Sequence, residues 1–412
     1  MRRRDFLALA GAAALPGPRA LAAAAKITRI TIAEIEGRFH KVVAMNSYDQ
    51  APKGPTYSTY LLRVFTDQGL SGTGTLEYAA PDKALLAALQ ALIGRDPLSL
   101  YVIENQRIRG PQGGEYMGLL DRYPYLDSAL FDLIGQMLGV PCYELLGPPV
   151  RDRIEVYDGT LYFSDVMRPE KGVRAVVEEA EEAVRSGYRG LKMKTGRNSK
   201  WVPGAAGVAR DIEAVNAVRR AIGPSIKLMA DANNGYKDDF DSLWRFMAET
   251  QKSSLYWIEE PFPQDPALYR RLLDKMHQSG MKTLLADGED MRTLAALRPY
   301  LEPKLIDVSQ IDVRRGGFVM NREAADLSRA HGVQCVPHNW GSQIGFLMGL
   351  HLGKSVPGAT AAEDDRSRCD ALQVEGYEFR AGYCTVPKSP GLGIKVNEKV
   401  YQEKYKPKEV AV

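Results

Sequence analysis

The sequence predicts a closed (β/α) barrel that follows an α+β domain, and three observations lead to that prediction. After Arg153, short apolar runs alternate with longer amphipathic stretches, the pattern of repeated βα units. Eight such runs lie between residues 154 and 363. An open doubly wound sheet usually has fewer strands and a Gly-rich fingerprint after the first, and this chain has no such fingerprint. The third observation is that from the second run onward each run ends in an ionisable residue, as the strands of a barrel do when their C-terminal ends converge on one mouth.

The chain has 412 residues, 45% hydrophobic and 25% charged, which excludes disorder and fibre and leaves room for two cores. Lys plus Arg total 54 against 51 Asp plus Glu, a formal charge of +3. That excess sits at the N-terminus, in Arg2, Arg3, Arg4 and Arg19 against Asp5. The rest is balanced, so nucleic acid and anionic membrane are not expected as partners.

In chain order, residues 1–25 read as an address. Arg2-Arg3-Arg4-Asp5-Phe6-Leu7 precedes the alanine-rich apolar run 8–15 and then small residues around Ala20-Leu21-Ala22. This resembles a twin-arginine export signal with Arg3 and Arg4 as the pair, and it implies a periplasmic protein. The α+β domain is expected over 26–152, completed by 371–412. Its opening run, 27–32, puts Ile30 and Ile32 on one face and Arg29 and Thr31 on the other, and 60–64 is apolar enough to pair with it. Helices are expected at 84–93 and 128–138, the second ending near Gly139 and Pro141.

The barrel is expected over 153–370, with strands at 154–157, 190–194, 226–231, 255–259, 283–287, 305–312, 333–338 and 359–363. Segments such as 173–186, 208–221 and 323–330 have helical spacing between them. Cys142 and Cys335 sit in apolar runs and read as core, whereas Cys369 and Cys384 are spaced so that an exported protein could pair them. No second stretch approaches the length of a membrane span.

The residues that end the runs carry the chemistry. They are Lys194, Asp231, Glu259, Glu289, Asp312, His338 and Glu363, at intervals of 37, 28, 30, 23, 26 and 25. One ionisable residue after a strand is ordinarily a helix cap or a solvated rim, but seven in succession are not explained that way. Asp231, Glu259 and Glu289 follow consecutive strands, and an all-oxygen set suits Mg²⁺, with Asp287 and Asp290 flanking the third. Lys192 and Lys194 alternate along a strand and so face one way, where each ammonium would lower the pKa of the other from about 10.4 toward that of a useful base. Asp312 and His338 are one βα unit apart, within reach for a carboxylate to orient an imidazole and raise its pKa.

On these residues, and on Ser128-Ala129-Leu130-Phe131-Asp132-Leu133-Ile134-Gly135, Gly139-Val140-Pro141, Glu144-Leu145-Leu146-Gly147, Asp231-Ala232-Asn233, Trp257-Ile258-Glu259-Glu260-Pro261 and Gly288-Glu289, the sequence resembles the enolase superfamily. The branch it resembles is that of mandelate racemase and muconate lactonizing enzyme. The resemblance implies a modified TIM barrel under an α+β capping domain. It also implies Mg²⁺ held by Asp231, Glu259 and Glu289, and abstraction of the proton α to a carboxylate.

By the same resemblance Lys194 is the base on one face of the substrate, and His338, paired with Asp312, is the acid or base on the other. Lys192 binds the carboxylate and depresses the pKa of Lys194, Glu363 hydrogen-bonds the enediolate, and Asn233 and Asn339 touch the substrate. The bulky stretch 40–60, with Met45, Tyr48, Tyr57 and Tyr60, is expected to cover the site, and Tyr48 to meet the substrate. Two departures are visible: Asp312 stands four residues before Gly316-Gly317, one fewer than the family pattern, and 196–208 is an insertion that shapes the mouth or an oligomer contact.

The expected reaction is dehydration of a sugar acid to a 2-keto-3-deoxy acid by a Mg²⁺-dependent lyase that acts as a homo-oligomer. Racemisation or epimerisation of a 2-hydroxy or sugar acid through the same enediolate is the alternative. An exported protein that binds an organic acid without turning it over is the reading from another class.

Overall fold

The computed structural model describes residues 25–105 and 107–412, so the export signal read over 1–25 lies outside the described part but for its last residue. The capping sheet begins with a hairpin in which Ile27–Val43 pairs antiparallel with Gly54–Thr66. Both strands outrun their apolar segments, because exposed Glu34, Glu36, Arg38 and His40 alternate with buried Ile35 and Phe39 and interrupt the apolar run without ending the strand. A third strand, Ser71–Thr75, has no apolar residue to signal it. Its glycines are there for a neighbour: a Cβ at Gly72 would lie 2.1 Å from the Ala129 carbonyl oxygen, and one at Gly74 2.3 Å from Ser128 Oγ. Those atoms belong to the buried helix Asp127–Leu138, which lies on the sheet and ends at Gly139 in the left-handed conformation, as its sequence predicts.

All eight barrel strands form in the expected order: Arg153–Leu161, Gly190–Lys194, Lys227–Asp231, Trp257–Glu259, Leu284–Asp287, Val308–Ser309, Gln334–Cys335 and Ala361–Asp364. Each pairs in parallel with the next, the eighth pairs with the first, and a Cys335–Ala359 bridge closes the ring. The sixth and seventh strands are shorter than expected at both ends, and beyond them Asp312 and His338 meet in an isolated bridge at the mouth.

The segment 371–412 sends strands to both sheets and pairs Leu372–Val374 with Ile394–Val396 in a small sheet of its own. Val410–Ala411 joins the first capping strand, whereas Tyr383–Thr385 runs antiparallel along the first residues of the first barrel strand. This division separates the two cysteines that were spaced to pair. Cys369 lies in a strand on the capping sheet and Cys384 in the hairpin on the barrel, and all four cysteines are free and buried. Among the described residues no helix is long and apolar enough to cross a membrane.

The helix expected at 323–330 begins ten residues earlier, at Val313–Ala330, with a kink at Gly317 (φ 60°) that the Gly-Gly pair makes possible. Asp127 of the capping domain accepts hydrogen bonds from Phe318 N and Val319 N at 2.7 and 2.8 Å, so it caps the helical segment after the kink from across the domain boundary. A second buried carboxylate, Asp132, accepts from Thr73 N and Leu392 N at 2.7 Å each.

His351 makes another such tie. Its Nδ1 accepts from Tyr143 N (3.1 Å), which leaves Nε2–H to donate to Tyr377 Oη (2.7 Å), and that hydroxyl donates to the Leu392 carbonyl (2.6 Å). Burial pushes this imidazole from 6.5 down to about 3, since protonation would set a second donor against the Tyr143 amide. The tie is therefore fully present above pH 6.5 and is lost as pH falls toward about 3, by up to about 1.4 kcal/mol per pH unit. Urea unfolding at pH 6.5 and 5 is expected to show a wild-type loss about 2 kcal/mol larger than that of His351→Gln. Equal losses in both would contradict the tie.

Candidate active site

Strand register brings the site together. Lys194 lies opposite Asp231, and Asp231 opposite Glu259, so the three side chains share one level and one face of the ring; Lys192 lies one pleat below. Glu289 follows the fifth strand through Gly288 (φ 136°), where a Cβ would come within 2.9 Å of Gln310 N. Asp312 caps its helix through Arg314 N and Arg315 N, and pairs by a β-bridge with His338. The shorter spacing to Gly316-Gly317 therefore leaves the pair intact, with His338 Nδ1 2.7 Å from Asp312 Oδ2.

Asp231, Glu259 and Glu289 each present an oxygen within 4.8 Å of the others, all buried. Lys192 Nζ sits beneath them, 2.7 Å from Glu259, 2.9 Å from Glu363 and 3.4 Å from Asp231, and Lys194 Nζ bonds Asp231. Gln310 and Trp257 donate to the second oxygen of Glu259 at 2.9 and 3.1 Å, and Asn233 N to Asp231 at 2.9 Å. Glu289 Oε2 is buried and accepts no hydrogen bond, and its ionic neighbour is His338 Nε2 at 3.2 Å. Three carboxylates this close, one of them with an oxygen that accepts no hydrogen bond, fit a divalent cation held by oxygen ligands.

The electrostatics agree. Burial and the neighbouring Asp231 charge push Glu259 up to about 8, and burial raises Glu289 as well. Asp231 goes the other way, down to about 2, because Lys194 and Lys192 outweigh the cost of its burial. The expectation that the two lysines depress one another is corrected here. Burial does disfavour both charges, but Glu259 and Glu363 around Lys192, and Asp231 beside Lys194, hold both ammoniums well above their ordinary value. Lys192 still pulls Lys194 down, by less than Asp231 holds it up. Burial would likewise lower His338, but Glu289 and the Asp312 hydrogen bond lift it to about 9.

Above these groups lies a cavity of about 510 Å³. Six of the expected residues line it: Tyr48, Lys194, Glu289, Asp312, His338 and Glu363. Lys192, Asp231 and Glu259 lie in the layer beneath. Asn233 is committed to protein partners, accepting from Asn46 (3.0 Å) and donating to Glu260 (3.2 Å), whereas Asn339 donates its backbone and side-chain amides to Glu363 (3.2 and 3.4 Å) and keeps a buried Oδ1 that accepts no hydrogen bond.

Lys53, Tyr78, Tyr162, Arg315 and Trp340 also line the cavity and were not foreseen. Tyr162 carried a signal, since it ends the first barrel strand as the other mouth residues end theirs. Lys53 and Tyr78 come from the capping domain, and only tertiary docking brings them here.

Of the stretch 40–60, only 44–53 is loop; His40, Tyr57 and Tyr60 sit in strands, and Met45 packs with Tyr162 and Phe163. The insertion 196–208 holds that loop in place. Trp201 Nε1 donates to Asn46 O (2.7 Å), Ser199 Oγ to Ser47 O (2.9 Å) and Lys200 Nζ to Gln50 Oε1 (2.6 Å). Fully buried Arg197, bound to Asp165 (2.7 Å) and Asp211 (2.6 Å), anchors the insertion. The loop in turn places Lys53, paired with Asp49 at 2.9 Å, over the rings of Trp340 (5.4 Å), Tyr48 (5.7 Å) and Tyr162 (5.9 Å).

A barrel whose mouth sets a lysine and a carboxylate-clamped imidazole on one cavity, above three clustered carboxylates, defines an enzyme of acid–base chemistry beside a cluster fit to hold a metal. Residues 175–400 match the model of the family described as enolase C-terminal domain-like, and the chain belongs to that family. It is 26% identical to a D-xylonate dehydratase of Haloferax volcanii over 82% of this chain and 83% of the relative. It is 28% identical to a D-galactarolactone cycloisomerase of Agrobacterium fabrum over 83% and 90%. A galacturonate dehydratase from Geobacillus sp., solved with D-galacturonate and 5-keto-4-deoxy-D-galacturonate, superposes with a TM-score of 0.81 at 28% identity, covering 94% of this chain and 99% of that one. A mutant of that dehydratase was solved with Mg.

Titration of chelator-treated protein with Mn²⁺ is expected to reveal one high-affinity site. Glu289→Gln should weaken it by more than the roughly 10- to 100-fold that follows loss of an outer partner. Unchanged affinity in that variant would remove Glu289 from the ligand set.

Proposed function

We propose that this protein is a Mg²⁺-dependent hydro-lyase that removes the α-proton of a sugar-acid carboxylate and expels the β-hydroxyl, giving a 2-keto-3-deoxy acid. One observation carries the reading: Lys194 and His338 open onto the same cavity above the three carboxylates, so a substrate held there meets a proton acceptor and a proton donor at once. The dehydratases among the relatives support elimination as the outcome.

In this mechanism Lys194 Nζ takes the α-proton as the neutral amine, so the ammonium that Asp231 holds must first release a proton to solvent through the cavity. Lys192 holds positive charge below the substrate carboxylate. Glu363, fixed by Lys192 and Asn339 N, hydrogen-bonds the enediolate. His338 Nε2 delivers its proton to the departing hydroxyl, while Asp312 fixes the ring by holding Nδ1–H. When bound by Asp231, Glu259 and Glu289, Mg²⁺ supplies positive charge against the negative charge that develops on the substrate.

Incubation with a library of aldonic, aldaric and uronic acids and Mg²⁺, assayed for 2-keto acid, tests the reading. Keto acid from at least one member is expected, and none in excess chelator. Inversion at carbon without keto acid would make the protein a racemase or epimerase, and saturable binding without either product would make it an organic-acid binder.

We also infer that the chain is exported folded by the twin-arginine route, on the strength of Arg3-Arg4 ahead of the apolar run 8–15. Cell fractionation is expected to find the wild type in the periplasm and the Arg3→Lys, Arg4→Lys variant in the cytoplasm. An unchanged distribution would contradict export by this route.

A further inference from the structure

Tyr78, a capping-domain residue, donates its hydroxyl to Asp312 Oδ2 at 2.6 Å. That is the same oxygen that holds His338 Nδ1 at 2.7 Å. The other oxygen of Asp312 is taken by Arg314 N and Arg315 N at 2.8 and 3.0 Å, so the carboxylate is fixed from both sides and cannot rotate without breaking one set of bonds. The Tyr78 ring is fixed in turn. The guanidinium of Arg314 lies 4.1 Å from its centroid and that of Arg315 5.0 Å. Arg314 also donates to the carbonyls of Leu76 and Glu77 at 3.3 and 3.2 Å and to Thr59 Oγ1 at 2.9 Å, which ties the backbone leading into Tyr78 to the barrel. Tyr78 and His338 both line the cavity.

From this geometry we infer that Tyr78 is a positioning residue for proton delivery: its hydroxyl holds Asp312, and through it the His338 ring, so that the acid is aligned only when the capping domain is docked. The hydroxyl is bonded to Asp312 and not to Lys194 or the three clustered carboxylates, of which Glu289 is near enough to disfavour its ionisation. Its effect falls on the elimination half of the reaction and spares α-proton abstraction. A misaligned imidazole still occupies the cavity, so substrate binding changes little.

The inference rests on the dehydratase reading, and the experiment separates the two. Wild type and Tyr78→Phe are compared in D₂O with a turned-over acid and Mg²⁺, measuring α-proton exchange into substrate, keto acid formation, KM and the thermal midpoint. Phenylalanine keeps the ring against the two guanidiniums and removes only the hydroxyl.

Keto acid formation is expected to fall about tenfold or more in kcat, with exchange, KM and midpoint near wild type. Asp312→Asn, which removes the carboxylate that the phenol acts through, should lose keto acid at least as far, and adding Tyr78→Phe to it should cost nothing further. Wild-type kcat in Tyr78→Phe would overturn the inference and leave the dehydratase reading standing. A parallel fall of exchange and elimination, or a lowered midpoint with both, would make Tyr78 a structural contact only and would overturn it too. Absence of keto acid from wild type itself would instead be a failure of the dehydratase reading.

Discussion

Everything at the mouth of this barrel follows from three carboxylates buried within 4.8 Å of one another. Two like charges about 4 Å apart repel by about 4 kcal/mol at an effective dielectric near 20, and a folded domain has only about 5–15 kcal/mol to spare. Such a cluster cannot stay ionised and uncompensated. The chain answers with two lysines on the adjacent strand, one below the cluster and one beside it, and with donors from Gln310, Trp257 and the Asn233 amide. They leave Glu289 Oε2 without a hydrogen bond, with the His338 imidazole 3.2 Å away, and the cluster still fits a divalent cation. The groups needed for proton abstraction are thus also the groups that let the cluster fold.

The second dependence is on the capping domain. It supplies Tyr48, Lys53 and Tyr78 to the cavity, and it is held in place by buried polar ties. Asp127 caps a kinked barrel helix, Arg314 reaches back to the capping backbone, and His351 links a barrel helix to Tyr143. Each of these groups is buried with its partners across a boundary, so separating the domains would leave several of them unpaired at about 1–3 kcal/mol apiece. The insertion 196–208 adds a further clamp by fixing the loop that carries Tyr48 and Lys53.

The barrel was legible in the sequence because its strands are buried on both sides and read as short apolar runs, each closed by a polar residue at the mouth. Gly190–Lys194 was bounded to the residue for that reason. The capping sheet was legible only in part. Its first strand is half solvent-facing, so Glu34, Glu36 and Arg38 masked its length, and Ser71–Thr75 is a strand made for a helix that the sequence places more than fifty residues later.

At the site, residues on consecutive strands could be brought together by counting βα units, which is how Asp231, Glu259, Asp312 and His338 came into view. Signs of pKa shifts could not be counted that way. Two lysines on one strand look mutually depressing, but their fields are set by carboxylates on the third, fourth and eighth strands. Tyr78 has no sequence signal at all, because its partner Asp312 is 234 residues away and on the other domain.

The central claim is a division of labour between the two walls of one cavity, with Lys194 abstracting and His338 delivering. Turnover in D₂O by Lys194→Ala and His338→Asn tests it most directly. The account predicts that His338→Asn still exchanges the substrate α-proton with solvent while forming almost no keto acid, and that Lys194→Ala does neither. Exchange in Lys194→Ala equal to that of wild type would remove Lys194 as the base and contradict the account.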